Sequence, residues 1–291
     1  MRDNRPSTTA IGVAFARALA EHGVTRVGGF SDPVAEALIP WPLARIARFF
    51  EGRPRLAQAM WLAILGTVEV LPLRTRAIDE VLERAVREEE IRQLVIVGAG
   101  LDARAWRLSF LSAVTVFELD HPATQGFKRE RLGTRPALAK EVHFLPVNLE
   151  RESLAVALAA AGHDPKAKTI FIWEGVVMYL EEAAVQASLR AMASVSAPGS
   201  LLAMTYFTPA GGASERAWWR LWVAPLVRLA GEPFRATYLP EAMAATAGEA
   251  GFGVEQETGA KDWAKRYSVK PDGLQPTTYE RLAVARRRAA A

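Results

Sequence analysis

The sequence predicts an α/β protein: a doubly wound, mostly parallel seven-stranded sheet of Rossmann-like type, with a helical N-terminal cap and a helical lid insertion. Three observations predict it. Short apolar, β-branched runs alternate with helical stretches from residue 91 to 206, the pattern of βαβ units. Those runs are continuously apolar rather than alternating, as strands covered on both faces must be. Some ninety residues of helical character precede the first run, and an aromatic, helix-spaced stretch follows the fifth.

The elements follow in order. Residues 1–90 read as cap helices broken at Gly28-Gly29, Pro40, Pro42, Pro54 and Pro72. Arg2, Arg5 and Ala18-Leu19-Ala20 give the start a faint look of a signal peptide. Arg17 breaks its apolar run, and Ile11, Val13, Ala14, Ala18 and Leu19 fit one face of a soluble helix better. The apolar stretch Leu56–Val68 stops at Glu69, short of the roughly 20 residues a bilayer span needs. Arg76–Glu90 is amphipathic, with Ile78, Val81, Leu82 and Val86 on one side. Strands are expected at Gln93–Val97, Val114–Leu119, Val142–Val147, Thr169–Trp173 and Leu201–Tyr206. Helices are expected at Arg104–Leu111, Ala123–Leu132, Arg151–Ala161 and Glu181–Ser194. The lid is placed at 207–240 on Trp218, Trp219, Trp222, Val223, Leu226 and Leu229. Pro240–Ala250 reads as a helix, and Phe252–Glu257 and Tyr279–Ala285 as the last strands. The whole, 1–291, is read as one domain.

Composition narrows the function. The 291 residues are 50% hydrophobic and 23% charged, an ordinary globular balance. With no cysteine there are no disulfides, thiolate metal sites or thiol nucleophiles, which suits a cytoplasmic location. Four scattered histidines, His22, His121, His143 and His163, make no compact metal centre, so no metal is expected. The net charge of +4 comes without a dense basic run before Arg286-Arg287-Arg288, so nucleic acid is not expected as a partner, and with no apolar stretch long enough to span a bilayer neither is a membrane. A monomer or homodimer acting on a small molecule fits.

The strongest local signal is Gly98-Ala99-Gly100-Leu101-Asp102-Ala103, a G-x-G-x-x-A turn between a strand and a helix. Glycines there let backbone approach a ligand, and the helix start offers unpaired N–H groups. About twenty residues on, Asp120 ends the next strand, where a carboxylate can accept from ribose hydroxyls. Glu118, two residues earlier, points the same way and is a rival. A nucleoside ligand follows, and NAD(P) and S-adenosylmethionine compete for it. The long helical lead-in, the polar strand ends Asn148 and Glu174, and the lack of a hydride-transfer dyad favour S-adenosylmethionine over an NAD(P)-dependent oxidoreductase; a non-catalytic nucleotide-binding module is a third reading.

The run Val95–Leu108 resembles the leucine carboxyl methyltransferase family, whose members include many bacterial S-adenosylmethionine-dependent methyltransferases. Ser31-Asp32-Pro33, Arg74-Thr75-Arg76, Phe117–Pro122, Trp173–Leu180, Gly231–Phe234 and Leu282–Arg286 agree in order, so the resemblance covers nearly the whole chain. It implies a class I methyltransferase fold. By position, Arg74 matches the arginine that binds the methionine carboxylate, a bidentate role. Gly98 and Gly100 match the cofactor turn, Asp120 the ribose acid, and Glu174 an acid near the methionyl end. Asn148-Leu149 stand where the family has Asp-Leu beside adenine. Ala103 replaces a common family Thr, at the cost of a cap at most, and Asp102 is expected to fix the turn.

The expected reaction is O-methylation, with a small aromatic or polyketide-like acid as acceptor. A carboxylate acceptor is already ionised at neutral pH and needs no base. It needs a cation, for which Arg104 or Arg216 are candidates, and Tyr179 is the expected orienting catalytic residue. A phenol acceptor would need His121, Tyr179 or Tyr206 to manage its proton; a protein C-terminal carboxylate is the other alternative. The acceptor is expected under the 207–240 insertion and the N-terminal helices, against Trp218, Trp219, Trp222 and Phe234.

Overall fold

A computed structural model describes residues 6–53, 55–56, 69–149, 152–209, 234–267, 269 and 279–289. Most of Leu56–Val68 and the lid tryptophans Trp218, Trp219 and Trp222 lie outside the described residues, as does Arg216.

The N-terminal part is helical where described. Ser7 accepts from the Ala10 amide and caps α1 (Thr8–Leu19), which buries Ala14, Ala18 and Leu19. A π-helical turn, Ala20–Val24, ends at Gly23 with φ +83°. Two shorter helices, α2 (Ala35–Leu38) and α3 (Trp41–Phe49), follow. The long helix α4 (Val70–Arg87) starts earlier than the periodicity predicts. Pro72, read as a breaker, sits in its first turn, where the missing N–H has no helical partner to lose.

The sheet elements then alternate: β1 (Gln93–Val97), α5 (Arg104–Arg107), β2 (Thr115–Asp120), α6 (Pro122–Leu132), β3 (Glu141–Pro146), α7 (Leu154–Ala160), β4 (Thr169–Trp173), α8 (Glu182–Ser194), β5 (Leu201–Phe207), α9 (Pro240–Glu249), β6 (Phe252–Gly259), α10 (Ala260–Arg266) and β7 (Glu280–Arg287). One expectation needs correction. The helix predicted over Arg104–Leu111 is a single turn, because Leu108 leaves helical space (φ −102°, ψ 103°) and a 3₁₀ turn, Ser109–Ala113, follows.

The seven strands stand in the order β3-β2-β1-β4-β5-β7-β6. Neighbours are parallel except at β7, which runs antiparallel to β5 and β6. Ile96 is flanked by Glu118 of β2 and Ile172 of β4. One sheet face packs Ile96, Ile170 and Ile172 against Leu73, Ile78 and Leu82 of α4. The other packs Val95, Phe117, Phe171 and Trp173 with Leu158, Leu189 and Met243 of α7, α8 and α9. Each such side chain, fully buried, contributes about 1.5–3 kcal/mol. The chain leaves β1 for β2 on one side and meets β4 on the other, so a crevice opens at the carboxyl ends of these strands. Among the described residues, no helix is long and apolar enough to cross a membrane.

Candidate active site

A cavity of about 390 Å³ occupies that crevice. Arg74, Gly98, Gly100, Asp120, Asn148, Leu149, Glu174 and Tyr179 all line it, so the eight candidate residues meet in one place. They arrive from five different stretches of chain: α4, and the segments at the ends of β1, β2, β3 and β4.

Two glycines give the turn left-handed backbone against close neighbours. The Gly98 and Ala99 amides both donate to the Leu119 carbonyl, at 2.8 and 2.9 Å. Gly98 has φ +69°, and a Cβ there would stand 2.6 Å from Val176 Cγ2. Gly100 has φ +52°, and its Cβ would stand 3.2 Å from Ala10 Cβ on α1. Helix α1 therefore lies over the turn, and Ala10, Val13 and Arg17 join the lining.

Asp120 and Glu118 part ways. The Asp120 carboxylate accepts from the Gly100 amide and, at 2.6 Å, from the His121 amide. Burial raises its pKa, opposed by those two N–H groups. Glu118 is fully buried, does not line the cavity, and pairs with buried Lys128 Nζ at 2.5 Å. Burial pushes the Glu118 carboxyl up to about 7 against the pull of Lys128. Lys128 in turn sits 5.1 Å from the centre of the Trp106 ring. The rival thus faces the interior, and only Asp120 reaches the cavity.

Glu174 ties the floor together. Its carboxylate receives Arg74 Nε at 2.8 Å and Arg104 Nη1 at 2.7 Å. Burial would raise its pKa, but Arg104 and Arg74 together hold it far below the usual carboxylate range. The pairing continues in both directions. Arg74 Nη1 meets Glu280 at 2.6 Å; Arg104 also meets Asp102 and, at 2.7 Å, Asp79. Arg107 joins Asp79 at 2.7 Å to Asp32 at 3.8 Å, and Arg17 Nε reaches Asp32 at 3.3 Å. Four guanidinium groups and five carboxylates form one continuous buried chain. Asp102 also accepts from the Arg104 amide at 2.7 Å and so fixes the turn.

This network corrects the sequence reading in two respects. Arg104, proposed as a cation for the acceptor, is completely buried and committed to Asp79, Asp102 and Glu174, so it cannot face a ligand. Arg74 reaches the cavity, but its Nε and Nη1 already serve Glu174 and Glu280, so a bidentate grip must use Nη hydrogens alone. Tyr206 is also removed from the list of bases. It lies buried on β5 with its hydroxyl on Glu257 at 2.8 Å, and it does not line the cavity.

Two cavity arginines have no site role in the sequence reading. Arg17 donates Nη2 to the Leu101 carbonyl at 2.5 Å, bracing the glycine turn from α1. Its signal was present: an arginine set among buried alanines on an apolar helix face. Arg235 lines the cavity from the segment before α9, with its amide on the Met178 carbonyl at 2.8 Å. Beside it the Tyr179 and Phe234 rings stack at 5.0 Å, and Phe234 packs on Phe207 at 5.1 Å. No local pattern marks Arg235, since only the fold brings it to Met178. Among the described residues no three His, Asp or Glu side chains form a group able to hold a metal ion.

A doubly wound sheet with a left-handed glycine turn, an acid at the next strand end and a ligand-sized crevice defines an enzyme of the nucleoside-cofactor class. The carboxylate of Asp120 and the guanidinium of Arg74 suit a cofactor with ribose hydroxyls and a charged amino-acid tail. The sequence model of the leucine carboxyl methyltransferase family matches residues 10–193, and the chain belongs to that family. It is 37% identical over 194 residues to an S-adenosyl-L-methionine-dependent methyltransferase of Frankia alni, covering 64% of this chain and 67% of that one. It is 36% identical over 202 residues to another of Streptomyces coelicolor, covering 68% of each. Among solved structures, a methyltransferase from Thermobifida fusca superposes with a TM-score of 0.61 at 19% identity, over 98% of this chain and 96% of that one. That last likeness speaks for the fold. The protein is an S-adenosyl-L-methionine-dependent methyltransferase.

Proposed function

We propose that the protein methylates a carboxylate oxygen of a small aromatic acid. The observation that carries this reading is the company of Tyr179 and Arg235 on one cavity wall, an aromatic face beside a cation. Arg235 takes the part for which the sequence suggested Arg104 or Arg216. Its ion pair with Glu181 lies at the exposed rim, at 3.0 Å, where such pairs are weak and exchange readily. A carboxylate acceptor is ionised and needs no general base.

Bound S-adenosyl-L-methionine supplies a methyl group already activated on its sulfonium. The chain's own residues then bind and orient. Gly98 and Gly100 let the backbone approach, Asp120 accepts from the ribose hydroxyls, and Asn148 accepts from the adenine amino group with Leu149 alongside. Glu174 holds Arg74 so that its outer hydrogens meet the methionine carboxylate. Tyr179 orients the acceptor ring and Arg235 its carboxylate, and α1 helps keep water out. The reading is tested by labelled-methyl transfer to aromatic acids, phenols and a peptide with a C-terminal leucine. Aromatic acids are expected to react, with a rate unaffected by EDTA and nearly flat from about pH 6 to about pH 8. Transfer only to phenols, rising tenfold per pH unit or requiring a divalent metal, overturns it, as does transfer only to the peptide.

A further inference from the structure

Helix α3 is apolar on both sides. Its inner side packs Ala44 and Ala47, followed by Phe50, into the core. Its outer side leaves Trp41 63%, Phe49 53% and Ile46 44% exposed. Trp41, Arg45 and Phe49 fall four residues apart, on one stripe of the helix surface. The stripe is edged with guanidinium groups that lie on its rings: Arg45 Cζ is 5.0 Å from the centre of Trp41, and Arg53 Cζ is 4.8 Å from that of Phe49. From 45 to 55 the chain carries Arg45, Arg48, Arg53 and Arg55 against the acid Glu51, and Arg48 is paired with Glu36 of α2, so the excess rests on Arg45, Arg53 and Arg55. Single exposed apolar residues need no explanation, but two large aromatics and an isoleucine on one short helix, ringed with positive charge, do.

We infer that this face of α3 docks on an anionic lipid surface, with Trp41 and Phe49 at headgroup depth and the arginines on lipid phosphates. The pattern is that of helices that lie in the interface plane: aromatic and apolar groups on the buried side, arginine at the margin. Arg45 and Arg53 are suited to this because their apolar stems lie along the rings while their charge faces outward. Anionic headgroups complement a surface with this charge excess, and an uncharged partner surface would leave it unused. The sequence excluded a spanning segment and, with it, a membrane partner; a surface-lying helix needs no span. Helix α3 packs on α1, whose own residues line the cavity, so the docked face and the roof of the site belong to one helical unit. Docking is independent of which acceptor is methylated.

The test is sedimentation of the full chain with vesicles of phosphatidylcholine alone and of phosphatidylcholine with phosphatidylglycerol in equal parts. Binding to the anionic vesicles is expected, with little to the neutral ones, and it should weaken as salt rises because screening shortens the reach of the arginines. The variant Trp41→Ala/Phe49→Ala should bind at least about tenfold more weakly, since two aromatic side chains no longer leave water. Arg45→Gln/Arg53→Gln should abolish the preference for anionic lipid. All four side chains are at the surface, so thermal stability and S-adenosylhomocysteine affinity should stay at the wild-type value and show that the variants fold. No sedimentation with anionic vesicles overturns the inference, and so does sedimentation that neither variant weakens. A concentration-dependent dimer in analytical ultracentrifugation that Trp41→Ala/Phe49→Ala dissolves, without vesicle binding, assigns the face to a second copy instead.

Discussion

Replacing Gly98 by alanine separates two physical costs that the turn avoids. The first is conformational. At φ +69° an L side chain sits in left-handed space, which costs about 1–2 kcal/mol. The second is steric. The new methyl would lie 2.6 Å from Val176 Cγ2, an overlap that forces a shift and costs about 1–3 kcal/mol by the measure of overpacked cores. Gly98→Ala is therefore expected to lose about 2–5 kcal/mol of stability, read from the urea midpoint at constant m-value. The two parts come apart in a double-mutant cycle. Val176→Ala removes the obstructing methyl and relieves the steric part only, so Gly98→Ala/Val176→Ala should be more stable than the sum of the single changes by about 1–3 kcal/mol. Both residues line the cavity, so S-adenosylhomocysteine affinity should fall in the single variant and partly recover in the double. A Gly98→Ala protein as stable as wild type, or single effects that simply add, would refute the reasoning.

Three more outcomes follow from the site. Asp120→Ala should cost about 1.5–3 kcal/mol of cofactor binding, roughly tenfold to a hundredfold in calorimetric Kd for S-adenosylhomocysteine, while Asn148→Asp should preserve or improve it. An unchanged Kd in Asp120→Ala with the fold intact would show that Asp120 does not hold the ribose. Glu174→Gln should lose about 1–3 kcal/mol of folding stability, because one side of both Arg74 and Arg104 then meets a neutral amide while Glu280, Asp79 and Asp102 still hold them. Denaturation at the wild-type midpoint would show that the arginines do not depend on it. Glu118 sets a pH dependence. Its folded pKa, about 7, lies above the usual value near 4.5, so the folded state holds its proton more tightly. The sign follows: this group's contribution to stability falls as pH rises through that window, by up to about 3 kcal/mol. Glu118→Gln/Lys128→Met removes the carboxyl together with its buried partner, and its stability should fall less than that of wild type between about pH 5 and about pH 7.5. Parallel curves would contradict the assignment.

Most of the fold was legible because its signals are local. The five parallel strands are apolar runs of five to seven residues, and each was found within one or two residues of its observed ends. The glycine turn, Asp120, Asn148 and Glu174 were legible for a related reason: each stands at or just past a strand end, and a parallel sheet gathers such positions at one edge. Two local errors share a physical origin. Propensity without position makes Pro72 a breaker and Arg104–Leu111 a full helix. A proline in a first turn breaks nothing, and the helix from Arg104 ends where Leu108 takes extended dihedrals.

The harder loss concerns charge. On sequence alone an arginine in a short helix after a cofactor turn is a plausible ligand group, and Arg104 fits that description. Its role is decided by Asp79 on α4 and Glu174 beyond β4, which are 25 and 70 residues away in the chain. The same is true of Arg17, whose partners Asp32 and Leu101 come from two further segments. Removing a guanidinium from water is expensive unless carboxylates surround it. A buried arginine can therefore be recognised only once the acids that surround it are known, and those acids lie outside any local window. The network in turn restricts what Arg74 can offer a ligand. Of the three arginines that line the cavity among the described residues, Arg17 and Arg74 are held by internal acids, and the one at the rim, Arg235, pairs with exposed Glu181. On the proposed reading the cation that meets the acceptor is the least buried of these three, the reverse of what ranking by proximity to the motif suggests.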